Sequence, residues 1–164
     1  MIKSKFKFWV ILPILLLLLV TVLFFKISYY LLFTSYQFET PMFPYFIMIL
    51  LAYVWIWIFY GELRTKAIIV AIDEKMLYKR TYLGLGSQIF FDLNEFDGFI
   101  TCQLPSKGGT YEYLYLTKNG KKEIKISEFY HGNYPQLKHR VTKTLKFLGD
   151  QPFSMLTEIK EVFI

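Results

Sequence analysis

The rhythm of hydrophobic positions along this chain changes once, near residue 61. Residues 8–25 (FWVILPILLLLLVTVLFF) and 41–60 (PMFPYFIMILLAYVWIWIFY) are uncharged apolar runs of 18 and 20 residues. At ~1.5 Å per residue they reach roughly 27 and 30 Å as helices, against a hydrocarbon core of ~30 Å. Lys26 is followed by ISYYLLF, so the first helix is expected to run to about residue 33 with the lysine reaching toward an interface. Residues 34–40 would then connect an antiparallel hairpin of helices at about 8–33 and 41–60. Trp9, Tyr29, Tyr30 and Tyr36 flank the first helix, and Trp55, Trp57 and Tyr60 close the second, as in interfacial aromatic belts. The first run is too long for a signal peptide and no small-x-small site follows it, so an uncleaved anchor is expected.

From residue 65 the pattern becomes short β-rich runs separated by turn residues. Strands are expected over 65–72, 76–83, 88–93, 98–104, 111–117 and 122–127. Asp73-Glu74-Lys75 makes the first turn, Gly84 to Ser87 a break, 105–109 a loop, and Asn119-Gly120 a tight hairpin. A helix is expected over 134–148, with Asn133 as its cap, Leu137, Val141, Leu145 and Leu148 as its apolar stripe, and Gly149 as its stop. Residues 151–164 form a tail that fits either a helix or a strand. The pattern therefore gives a membrane-anchored α+β protein: a helical hairpin at 1–60, a β-rich domain at 61–150, and the tail.

Strands followed by one amphipathic helix, in the segments IIVAIDEKMLYKR, QIFFDLNEFDGF, YLYLTKNGKKEIKIS and NYPQLKHRVTKTLKFLG, resemble the bacterial pleckstrin-homology-like (PH-like) domains that follow a pair of transmembrane helices. The resemblance covers about residues 61–150. It implies a bent sheet or barrel of about six to seven strands plugged by the C-terminal helix, and a binding or assembly module. The first hairpin carries Asp73 and Glu74 beside a single Lys75, so phosphoinositide binding is not carried over.

Charge adds an orientation. Lys3, Lys5 and Lys7 precede the first helix and Arg64 and Lys66 follow the second, whereas the connecting region has only Lys26; both termini are expected in the cytoplasm of an inner (plasma) membrane protein. Residues 61–164 hold 15 Lys and Arg against 12 Asp and Glu, too even a balance for a nucleic-acid surface. Lys138, Lys143 and Lys146 on the closing helix mark either a candidate membrane-surface contact or an ordinary solvated helix face. Tyr111, Tyr113 and Tyr115 share one strand face, which is either a candidate, half-exposed protein-partner surface or one that covers a second layer of core or packs on the C-terminal tail.

Catalytic, cofactor and metal residues are not indicated. Cys102 is the only cysteine and reads as a small hydrophobe, while His131 and His139 lack a nucleophile motif. Gly84-x-Gly86 lacks the residues of a phosphate loop, and Asp92, Glu95 and Asp97 read as loop residues. The expected function is a membrane-anchored binding module facing a protein partner, a second copy or the membrane surface. The alternative is a membrane-bound enzyme whose site forms at the membrane or between protomers.

Overall fold

The computed structural model describes residues 1–33, 42–106 and 109–163; the expected connection over 34–40, with Tyr36, and the centre of the loop at 107–108 lie outside them. Helix α1 (Ile11–Phe33) is entered through a tight turn at Phe8–Val10, and α2 (Met42–Ile56) continues as wider turns over Trp57–Arg64. Both assemblies are long and apolar enough to cross a membrane. Only 17% and 11% of their most apolar stretches are buried within the protein, so neither is the core helix of a globular domain. A polar tie joins them where Trp55 Nε1 donates to Thr21 Oγ1 at 3.2 Å. At the end of α2 the N–H groups of Lys66 and Ala67 both reach the Glu62 carbonyl at 3.0 Å, and the second of these is the i to i+5 bond of a widened turn.

The β-rich region forms two open four-stranded sheets. The first has the order β1 (Ile2–Lys3), β2 (Ile69–Ile72), β3 (Met76–Arg80), β4 (Gln88–Asp92). The second has the order β7 (Lys121–Ser127), β6 (Gly109–Lys118), β5 (Gly98–Ser106), β8 (Phe147–Pro152). Strands alternate their side chains, so Val70, Ile72, Leu77, Leu114, Leu116, Ile124 and Ile126 converge on one core, with Leu137 and Val141 of α3 (Tyr134–Thr144) packed into it. Asn119 and Gly120 turn the β6–β7 hairpin with φ of +52° and +71°, the left-handed pair expected of a type I′ turn.

Three expectations are corrected. Among the described residues the strands number eight, in two open sheets, because Ile2–Lys3, ahead of the first apolar helix, pairs with β2, and Phe147–Pro152 pairs in parallel with β5. Consequently α3 ends at Thr144, and Leu145 is already extended. The open edge of β5 outcompetes a further helical turn: Phe99 N–H donates to the Lys146 carbonyl at 2.9 Å, and Phe99 sits in register with Phe147. Leu148 and Gly149 thus belong to a strand rather than to a helix and its stop. Lastly, Asn133 makes no side-chain cap bond and instead holds the N-terminal segment. The tail resolves into the end of β8 and a helix, α4 (Met155–Phe163).

Residues 2–7 are stitched to the domain along their length. Lys5 N–H donates to Asn133 Oδ1 at 2.7 Å, and Asn133 Nδ2 donates to the Lys3 carbonyl at 2.9 Å. Gly132 N–H donates to the Lys5 carbonyl and Lys7 N–H to the Tyr130 carbonyl, both at 2.7 Å.

Candidate functional site at the helix and sheet junction

The alternation that sends Leu114, Leu116, Ile124 and Ile126 into the core sends Tyr113, Tyr115 and Lys125 to the opposite face of the second sheet, where Tyr115 and Lys125 are cross-strand neighbours. That face is covered. Helix α4 and the last turns of α2 close over it, making a second buried layer in which Lys66, Lys125 and Glu158 are 8%, 6% and 9% exposed. Charges this deep persist only when paired.

The pairing is a chain that links the end of α2, α4 and β7. Lys66 Nζ lies 2.7 Å from Glu62 Oε1 and 3.1 Å from Glu158 Oε2. Lys125 is bonded to Glu158 and lies 2.9 Å from Glu161 Oε2, and Lys122 stands 3.9 Å from Glu161 Oε1. Tyrosines form the floor: the Lys125 ammonium is 4.1 Å above the Tyr113 ring centroid and the Lys122 ammonium 4.1 Å above that of Tyr115. Tyr130 donates its phenolic proton to Glu62 Oε2 at 2.7 Å.

Burial is the largest influence on Lys66 and opposes its charge, yet Glu62, Tyr113 and Glu158 outweigh it and raise its pKa above the ordinary lysine value. The same competition runs at Glu158, where burial favours the neutral acid but Lys66 and Lys125 hold the carboxyl below its usual range. Burial pushes the Tyr113 phenol up to about 12 and raises Tyr115 and Tyr130 as well. At neutral pH Lys66 is therefore an ammonium, Glu158 a carboxylate and the three tyrosines neutral phenols, a set of charges and donors that ties these elements together.

Beside this cluster opens a cleft of about 400 Å³, with Glu62, Lys66, Tyr111, Tyr113, Phe129 and Tyr130 among its walls. Its partly open edge is aromatic: Tyr111 meets Phe129 edge to face at 5.2 Å, and Phe129 stacks on Trp9 at 6.4 Å. A second cleft of about 340 Å³ lies beyond Tyr111, around Glu112, Glu128, Tyr134 and Lys138.

The tyrosines singled out in the sequence separate. Tyr111 is half-buried at the border of both clefts, whereas Tyr113 and Tyr115 are 5% and 3% exposed, so the three do not form a half-exposed surface. The three lysines separate too. Lys138 lies 2.7 and 2.9 Å from the Glu112 oxygens, while Lys143 and Lys146 are exposed near the end of α3 and in the turn beyond it. The cluster of Glu62, Lys66, Lys125, Glu158 and Glu161 escaped the sequence reading, although Glu62 and Lys66 have the i, i+4 spacing of a helical ion pair.

Of the other groups singled out in the sequence, His139 is exposed on α3, whereas His131 and Cys102 are buried. His131 is 0% exposed, with Nδ1 at 2.8 Å from the Ser127 carbonyl and Nε2 at 2.9 Å from that of Ile68. Burial lowers its pKa, and the two carbonyls, which favour the imidazolium, do not overcome that. Burial raises the Cys102 thiol. Among the described residues no group of three or more His, Cys, Asp or Glu side chains is placed to hold a metal ion.

No family model matches this chain, and no significant match is found among curated proteins or solved structures.

Proposed function

We propose that this protein is a membrane-anchored binding module: α1 and α2 span an inner membrane as a hairpin, and a cytosolic PH-like domain is clamped against the membrane face, where it presents its aromatic cleft to a protein partner. The observation that carries this reading is the stitching of residues 2–7 to Tyr130, Gly132 and Asn133. A segment that precedes the first apolar helix and a domain that follows the second form one body, which requires an even number of crossings and a common side. The lysines and arginine at both helix ends favour the cytoplasm for that side.

Two further features support it. Strands β2–β4 and β5–β7, followed by α3 packed against their shared core, match the strands-then-helix order of PH-like domains, to which β1 and β8 are additions at the sheet edges. The cleft has Leu104, Tyr111 and Phe129 beside the charged pair Glu62–Lys66, the mix of apolar surface and few polar groups that suits a peptide or protein side chain.

The test is a photo-reactive amino acid placed at Tyr111 and, as control, at Lys121 on the distant hairpin tip, in cells carrying the full chain. A discrete adduct from position 111 alone, in the membrane fraction, is expected. Absence of any adduct at 111, or recovery of the chain in the soluble fraction, overturns the reading.

A further inference from the structure

Helix α4 has its amphipathic faces reversed for a domain bathed in water. Glu158 and Val162, 9% and 4% exposed, face the protein together with Glu161, while Met155, Leu156 and Ile159 point outward at 74%, 71% and 38% exposure. A surface helix in water does the opposite, burying its apolar stripe and solvating its carboxylates. Turning two carboxylates inward and three large apolar side chains outward is favourable where the medium outside is itself apolar or interfacial.

The contacts of α4 say which medium that is. Val162 packs over Gly61, where an added Cβ would stand 3.1 Å from the valine methyl. Arg64 Nη2 donates to the carbonyls of Glu161 at 3.3 Å and Val162 at 3.0 Å. Gly61 and Arg64 belong to the last turns of the second apolar helix, so α4 is fixed at the level where that helix ends. A separate part of the domain meets those same turns: the Tyr82 ring is 4.9 Å from that of Phe59, and Leu85, whose N–H donates to the Tyr82 carbonyl, is 91% exposed. Helix α4 thus packs on the turns in which the apolar hairpin ends while its outward side chains stay uncovered, and Lys160, exposed beside Ile159, has the reach to meet phosphate headgroups.

We propose that α4 lies in the headgroup layer of the bilayer, with Met155, Leu156 and Ile159 in the acyl boundary and Leu85 touching the same layer. The proposal rests on the reading that α1 and α2 span the membrane. It makes α4 a third membrane contact, with the Lys66–Glu158–Lys125 chain behind it as its rivet to the sheet.

The test is site-directed spin labelling of the full chain reconstituted in vesicles of phosphatidylcholine and phosphatidylglycerol. Labels are placed singly at Leu156→Cys, at Leu50→Cys within α2 and at Lys121→Cys on the hairpin tip; Cys102 is buried, and a Cys102→Ala background repeats each measurement. At 156 and 50, collisions with oxygen are expected to exceed those with a water-soluble nickel chelate, and at 121 the reverse. A label at 156 that reads as aqueous, or one shielded from both reagents as by a second protein or copy, overturns the proposal while a lipid signal at 50 leaves the spanning reading intact. An aqueous signal at 50 overturns both.

Discussion

Lys66 and Glu158 meet at 3.1 Å, joining the exit of the second apolar helix to the C-terminal helix across most of the chain. Because each is nearly buried, the pair is best probed by removing one side. Lys66→Met leaves Glu62 and Glu158 facing each other with less compensation, and breaking a buried pair in this way should cost about 3 kcal/mol. Thermal unfolding in detergent measures it. Lys66→Met combined with Glu158→Gln should recover part of that loss, since the uncompensated carboxylate goes with it.

Stability should fall on both sides of neutrality. His131 and Glu158 have folded pKa values below their ordinary ones, so the stability they contribute is present above those ordinary values and is lost as pH falls through the folded ones. The acid decline therefore begins below 6.5 for His131 and is joined below 4.5 by Glu158. Tyr113 is shifted up from 10.0 to about 12, so over that window the unfolded chain releases a proton that the folded chain keeps, and stability drops as pH rises. Melting temperatures across pH check both limbs, and Tyr113→Phe should soften the alkaline one.

Docking of the N-terminal segment hinges on Asn133, which both donates to and accepts from the backbone of residues 3 and 5. Asn133→Ala strips these partners from half-buried backbone groups and should cost about 1 to 3 kcal/mol. Hydrogen exchange should show faster exchange at the Lys5 amide, with the β6–β7 hairpin unaffected.

The closing helix anchors through Leu137 and Val141, which are 0% and 1% exposed, rather than through Leu145. Leu137→Ala should destabilise by about 2 to 5 kcal/mol through the cavity left in the core. Leu145→Ala, at the half-buried helix end, should cost clearly less; equal losses would restore the longer helix read from sequence.

Sequence alone determined those features whose cause is local. Continuous apolarity sets the two helices, Asp73-Glu74-Lys75 and Asn119-Gly120 set their turns, and alternation decides that Leu114 and Leu116 face one way and Tyr113 and Tyr115 the other. What lies beyond each face was not legible, because it depends on partners far along the chain. A two-residue strand such as Ile2–Lys3 carries no pattern of its own and exists because β2 offers an unpaired edge, and Phe147–Pro152 leaves the helix because β5 offers another. The candidate site is the extreme case. Lys66, Lys125, Glu158 and Glu161 read singly as solvated charges, and only when α4 folds back over the sheet does low exposure turn them into an obligatory network.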